Sequence, residues 1–406
     1  MKRKLLVINS ALRRGSTGHI TELIASLARK DGWECCIAHG ARFVGNSEVP
    51  SFQISGRVEE LMHFLTSKCF DRHGLGSVRP TKSLIKHIEY MQPDVVHLHN
   101  IHGYYVNHKL LLGYLAEKRI PTVITMHDFW LMTGHCAYIN KNCDKWETGC
   151  GHCPRLGEYP SALTDHTKKN WEIKRKLFGS FDNDRLVIVP VSHWLERFAK
   201  LSLLGGCKIT TIQNGIDTKV FSPYEEKHSK LWESIDWSKL TIITVADRWT
   251  SANGFDKILQ LSNLLPNEMQ IVMVGLNEQQ MKGLPDKIVG LGHTDNVQQL
   301  VELYSSADVL FNASTEVTFG LVTAEAMACG TPAIVFRNTA GEEIVDENTG
   351  FVVDDLNEIL KVVGLCRENA EQYKKNCRDR IVSCFDSEKQ YSKYIELYSD
   401  ILQNNR

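Results

Sequence analysis

Residues 312–336 read NASTEVTFGLVTAEAMACGTPAIVF. An apolar run at 308–312 has the pattern of a buried strand, a loop follows, and 321–329 suits a helix. Gly330 fits a helix C-cap, and Pro332 stands where a helix cannot continue. Gly320 removes a side chain at the helix entrance, where a ligand could approach the backbone. The first amides of such a helix are unpaired and carry the positive end of its dipole, which suits a diphosphate. Glu325, one turn in, could accept hydrogen bonds from ribose hydroxyls. An ordinary loop-to-helix junction with a solvated Glu325 explains an isolated FG-x-x-x-x-E better, so the rest of the chain has to decide.

Outward from this segment the same theme repeats. Short apolar runs at 241–245, 270–274, 287–291 and 332–336 flank it, with helical stretches between them. The first half carries similar runs at 4–9, 93–99, 121–126, 186–191 and 207–212, the last ending in the turn signal NGID. Such alternation predicts parallel sheets covered on both faces. Two successive units imply two doubly wound, Rossmann-like α/β domains facing across a cleft. The expected limits are 1–218 for the first domain, which contains a Cys-rich loop at 135–154, and 219–384 for the second. The polar stretch YEEKHSKLWESIDWSKL (224–240) would be a linker or the start of the second domain. In the tail, 385–406, Tyr391, Tyr394, Ile395, Tyr398, Ile401 and Leu402 share one helical face, so this helix packs back on the domains.

Composition narrows the class. At 406 residues the chain exceeds what one core usually serves. Its 47 basic and 48 acidic side chains leave a net charge of -1, which gives no electrostatic case for nucleic acid as the main partner. The start, MKRKLLVINSALRRGS, has too short an apolar core for an export signal, and no run approaches the length of a membrane span. A cytoplasmic protein is expected, with its twelve cysteines as free thiols or a metal site rather than disulfides.

The segment beginning at Phe319 closely resembles the donor-binding signature of the retaining glycosyltransferases of carbohydrate family 4, FGL-x-x-x-EAMA-x-G-x-P, which have the GT-B fold. VSHWLERF from Val191, NGID from Asn214, SADVLFNAS from Ser306 and GEEIVDENTGFVV from Gly341 follow the family's order and spacing. The resemblance implies that Phe319, Gly320, Leu321 and Val322 hold the donor diphosphate and that Glu325 binds its ribose. Two departures stand out. The family's acidic residue eight positions before the ribose-binding glutamate is Val317 here, and the nearest acid is Glu316. The motif GR-x-x-x-x-KG reads DRWTSANG, so Arg248 matches while Asn253 replaces the lysine, and asparagine brings no charge to a leaving diphosphate.

In the first domain, the turn at 14–18 contains Gly15 and Gly18, which the resemblance places beneath the donor phosphates and sugar. His127, in HDFW at a predicted strand end, matches the family's active-site histidine, which contacts the transferred sugar. Asp128 could orient it or cap the next helix. His97, His99, Asn100 and His102 form a second cluster, either a wall on the acceptor side or structural. Cys136, Cys143, Cys150 and Cys153 have the spacing C-x6-C-x6-C-x2-C. Four thiolates suit a structural zinc, while two disulfides or four buried thiols fit the same spacing. The segment around them is similar to family members that build exopolysaccharide and colanic-acid-like polymers. Finally, 165–178 carries Lys168, Lys169, Lys174, Arg175 and Lys176 beside Trp171 and Phe178. It could touch anionic lipid or be a solvated helix face.

The expected activity is transfer of a sugar from a nucleoside diphosphate donor to a glycan or lipid-linked hydroxyl acceptor with retention, in bacterial surface-polysaccharide synthesis. No cofactor is required by this chemistry, because cations and a helix dipole offset the leaving charge. The expected catalytic set is His127, Arg248 and Glu316, with Asn253 on the donor side. A non-catalytic nucleotide-sugar-binding module and a nucleotide-sugar 2-epimerase are the alternatives.

Overall fold

A computed structural model describes residues 2–138, 143–182, 184–224 and 232–404. Two compact units form, Met1–Ile212 with Tyr391–Arg406, and Gln213–Gln390. In the first, seven strands pair in parallel: β1 (Lys4–Leu12), β2 (Glu34–Val44), β3 (Ser51–Gln53), β4 (Val95–Leu98), β5 (Thr122–Met126), β6 (Leu186–Pro190) and β7 (Lys208–Ile209). Their order is β3-β2-β1-β4-β5-β6-β7. The second unit has six, β8 (Leu240–Val245), β9 (Met269–Val274), β10 (Ile288–Leu291), β11 (Val309–Asn312), β12 (Ala333–Phe336) and β13 (Gly350–Val353). Their order is β10-β9-β8-β11-β12-β13, again parallel throughout.

The central strands are largely apolar, as expected where helices cover both faces of a parallel sheet. β4, β5, β6, β9, β11 and β12 are fully buried. The strand order reverses between β1 and β4 in the first unit and between β8 and β11 in the second. Open α/β sheets bind ligands beyond the carboxyl ends of the strands that flank such a reversal.

The final helix, Ser387–Asn404, packs Tyr391, Tyr394, Tyr398 and Ile401 into the core of the first unit, with Ile395 and Leu402 partly buried against it. Polar bonds pin it as well. The buried His97 bonds the Tyr398 hydroxyl through Nδ1 at 2.6 Å and Thr125 Oγ1 through Nε2 at 2.8 Å. Thr125 Oγ1 also meets the Tyr394 hydroxyl at 2.8 Å.

The units divide at 212/213, six residues before the 218/219 boundary expected from the sequence. The cause is local pairing: the Ile216 amide donates to the Phe385 carbonyl, and the Ser387 amide donates to the Ile216 carbonyl. Arg378 reaches the carbonyls of Thr218 and Phe221 as well. Of the expected linker 224–240, residues 225–231 lie outside the described residues. The strand expected over 207–212 pairs only at Lys208–Ile209, and the turn expected at 14–18 is the first turn of the helix Gly15–Lys30.

Candidate active site

In the second unit, two loops meet at the reversal point. One leaves β8 and carries Arg248 to Gly254; the other leaves β11 and carries Ser314 to Gly320. Gly254 has φ +88°, and a Cβ there would lie 2.5 Å from the Ala313 carbonyl oxygen, so the loops touch only because this residue is glycine. Ser314 Oγ also donates to the Ala252 carbonyl at 3.4 Å.

The helix Leu321–Ala328 begins at Gly320, whose φ of +100° and ψ of 55° are left-handed, and no side chain caps it. The first intrahelical bonds run from the Thr323 and Ala324 amides to the Gly320 carbonyl. The Leu321 and Val322 amides therefore precede the helical ladder and face outward from its positive end. Phe319 is buried against Phe385 at a ring distance of 5.9 Å, and this fixes the residue before the turn. Asn312 Nδ2 donates to Thr323 Oγ1 at 3.0 Å, tying the end of β11 to the first helical turn. Arg378 satisfies the Ala328 carbonyl at the other end.

Glu325 lies on this helix, half-buried, and its Oε2 accepts from the Tyr304 hydroxyl at 3.2 Å. Burial raises its carboxyl to about 7, and the Tyr304 bond offsets part of that rise. A carboxylate so placed gains from any further donor, as a pair of ribose hydroxyls would supply. Tyr304, absent from the sequence-based set, is a buried side chain whose role needs the fold to be seen.

Arg248 is exposed on the β8 loop. Asn253 is turned inward to the same loop, its Nδ2 donating to the Arg248 carbonyl and its amide to Thr250 Oγ1 at 3.3 Å. It therefore braces the loop that presents the arginine. Glu316 sits in the β11 loop with its amide directed to Ser314 Oγ at 3.4 Å. Val317, next to it, packs toward Gly320, its Cγ1 3.2 Å from where a Cβ would stand.

The first unit builds its own group at the β1/β4 reversal. Gly15 opens the helix after β1 at φ +66° with open space around it, and a Cβ at Gly18 would meet the Arg13 backbone at 3.2 Å. Asn100, after β4, donates to Thr17 Oγ1 at 3.4 Å and joins the two loops. His127 follows β5, its Nε2 2.9 Å from Nδ1 of the buried His99, with the rings stacked 5.2 Å apart. Burial lowers His127 to about 4, so it is neutral at neutral pH; Asp128 opposes this shift and His102 adds to it. Asp128 caps the turn that follows, accepting from the Trp130 amide at 2.8 Å, and pairs with His102 Nε2 at 2.7 Å. The histidine cluster thus splits: His97 braces the final helix, whereas His99 and His102 support His127 and Asp128.

Cys136, Cys143, Cys150 and Cys153 line one small pocket in the first unit, all as free thiols. Of the loop 135–154, residues 139–142 lie outside the described residues. The helix Thr167–Phe178 buries Trp171, Lys174 and Phe178 and half-buries Ile173 and Leu177, while Lys168, Lys169, Arg175 and Lys176 are exposed, so of the expected basic residues only Lys174 turns inward.

Two family patterns match the chain over the same two units: residues 13–220 fit "Glycosyltransferase Family 4", and residues 240–365 fit "Glycosyl transferases group 1". The chain belongs to glycosyltransferase family 4. Among its relatives, the putative colanic acid biosynthesis glycosyl transferase WcaC of Escherichia coli (strain K12) is 25% identical over 292 residues, 69% of this chain and 68% of that one. N-acetyl-alpha-D-glucosaminyl L-malate synthase of Bacillus anthracis is 27% identical over 248 residues, 56% of this chain and 63% of that one. Among solved structures, sucrose-phosphate synthase from Thermosynechococcus elongatus aligns with a TM-score of 0.72 at 15% identity, covering 99% of this chain and 100% of that one. Anabaena HepE in complex with UDP-glucose aligns at 0.65 with 15% identity, covering 98% and 99%. The glycosyltransferase shares the two-unit GT-B fold with these structures.

Proposed function

We propose that this glycosyltransferase moves a sugar from a nucleoside diphosphate to a hydroxyl of a glycan or lipid-linked acceptor, with retention, in assembly of a bacterial surface polysaccharide. The observation that carries the reading is the uncapped helix at Gly320. Its free amides stand at the β8/β11 reversal, with Glu325 one turn in and Arg248 on the adjoining loop. The amides and the arginine would bind the diphosphate, and their attraction grows as its bond to the sugar breaks. Glu325 would accept from the ribose hydroxyls. As the new bond to the anomeric carbon forms, the acceptor hydroxyl loses its proton; the departing phosphate oxygen, left on the same face, can take it. His127, lowered to about 4, is too weak a base to hold that proton at neutral pH and is better suited to positioning sugar hydroxyls. Glu316 stands on the loop that leads to the diphosphate site and is proposed to lie at its sugar end. Gly15, with open space around it, leaves room for the ligand at the corresponding loop of the first unit, and Gly18 lets the helix start close against the Arg13 backbone. The resemblance to polymer-building relatives supports the setting.

The test is a panel of UDP-, GDP- and dTDP-sugars incubated with the full chain and membrane extract, scored by release of nucleoside diphosphate. Release from one donor supports transfer. Tight binding with no release from any donor supports a non-catalytic module, the reading that Val317 and Asn253 favour.

The raised Glu325 carboxyl sets a pH dependence. Its folded value of about 7 lies above the ordinary 4.5, so in the free protein it adds stability that is full below pH 4.5 and lost as pH rises to 7. Ribose binding requires the carboxylate, so nucleotide affinity should rise with pH, by at most about tenfold per unit below 7, and level off above. Calorimetric titration between pH 5.5 and 8.5 checks this; a flat profile in wild type contradicts it.

The proposal extends to peripheral contact with an anionic membrane on the cytoplasmic side. No helix among the described residues is long and apolar enough to cross a bilayer. The face that supports contact is the helix Arg57–Phe70, where Val58, Leu61, Met62 and Leu65 are exposed at helical spacing. Wild type should float with phosphatidylglycerol vesicles and Leu61→Glu/Met62→Glu should not; equal flotation refutes this face.

A further inference from the structure

Tyr304 lies in the last turn of the helix Val297–Ser306, which packs against the helix Leu321–Ala328. It is wholly buried, and its hydroxyl donates to Glu325 Oε2 at 3.2 Å. Two bonds to its carbonyl fix its backbone, one from the Ala307 amide and one from the Thr331 hydroxyl. A phenol has a single proton to give, and a buried one needs a partner for it. Here that partner is the glutamate.

The bond is as singular for Glu325. Among the described residues no other group donates to its carboxylate, and no cation stands within ion-pair distance of it. An ionised carboxyl has about four lone-pair sites, so the tyrosine fills one and leaves the rest for a ligand. Glu325 keeps part of its surface exposed, so it remains approachable. The phenol also favours the ionised form against the burial that raises this carboxyl.

We infer that Tyr304 is a positioning residue for donor binding: by holding Glu325 Oε2 it aims the rest of the carboxylate at both hydroxyls of a ribose, so that the pair selects ribonucleoside over 2′-deoxyribonucleoside diphosphates. This rests on the donor site proposed above. An unanchored glutamate could turn both oxygens toward a lone 3′-hydroxyl, and the tyrosine removes that freedom. A bound sugar ring covers the carboxylate and displaces its water. A 2′-deoxy ring then leaves a charged acceptor without a donor, and a site built around a hydroxyl discriminates strongly against an analogue that lacks it.

The experiment is calorimetric titration of the full chain at pH 8 with UDP, GDP and ADP, their 2′-deoxy counterparts, and dTDP. Wild type should bind at least one ribonucleotide about tenfold or more tightly than its deoxy counterpart, a comparison that needs no variant. Tyr304→Phe keeps the ring and loses only the hydroxyl. It should weaken that ribonucleotide about tenfold and cut the preference to under about threefold. Repeated between pH 5.5 and 8.5, its rise in affinity should also move to higher pH, because a bond to the ionised carboxyl is gone. A tyrosine that merely packed would leave both the preference and the pH midpoint in place. A folded Tyr304→Phe protein with wild-type preference and midpoint therefore overturns the inference and leaves the donor site standing. So does any deoxyribonucleotide, dTDP included, that binds wild type as tightly as the best ribonucleotide while Glu325→Ala weakens both. No nucleotide binding by wild type, or binding that Glu325→Ala leaves unchanged, overturns the donor site and the inference together.

Discussion

Arg248→Ala is expected to lower turnover about a hundredfold or more, on the order of 3 kcal/mol in the barrier, with little change in melting temperature. The side chain is exposed, so its removal leaves no cavity and no orphaned partner in the core. The size of the effect follows from what stands beside it. At position 253 an amide replaces a second cation, and that amide is bonded to the Arg248 carbonyl. In the proposed mechanism the charge that develops on a leaving diphosphate would therefore lean on this arginine and on the helix amides. Steady-state release of nucleoside diphosphate measures it, and a loss under about threefold would remove Arg248 from the proposed mechanism.

Gly320→Val should abolish donor binding, with an affinity loss of about a hundredfold or more, while the fold survives at a lower melting temperature. At φ +100° a β-branched side chain is strained by about 1–3 kcal/mol. Its Cβ would also stand 3.2 Å from Val317 Cγ1 and 3.4 Å from Ile344 Cδ1. Relief requires the turn to rotate, which swings the Leu321 and Val322 amides away from their common direction. Gly320→Ala should fall between, since it shares the strain but lacks the branch. Nucleotide titration with a parallel thermal melt separates the two effects; unchanged affinity in the valine variant would show that the turn is not the phosphate site.

The strands were legible where burial on both faces forces an unbroken apolar run. β4, β5, β6, β9, β11 and β12 are of that kind, and each lies within a residue or two of its expected place. β2 was not, because ECCIAHGARFV interleaves polar residues whose partners are distant in sequence. Glu60 is one such partner: buried, it accepts from the Ala41 amide and pairs with Arg42. The loop-to-helix junction of the second unit was readable because a glycine before a helix and a proline after it are local signals. Tyr304 on Glu325 was hidden, since only the packing of two helices brings a tyrosine to that carboxylate. Lys174 misled for a similar reason. Helical spacing placed it among exposed bases, but its ammonium lies over the Trp130 ring and finds two carbonyls that no periodicity reveals.

The most direct test of the donor site is calorimetric titration of UDP, GDP and dTDP into wild type and Glu325→Ala at pH 8. The account predicts that at least one nucleotide binds wild type and that the alanine variant weakens it by about tenfold or more, the worth of one or two hydrogen bonds to a charged group. Binding of equal strength in both proteins, with Glu325→Ala folded, would contradict it.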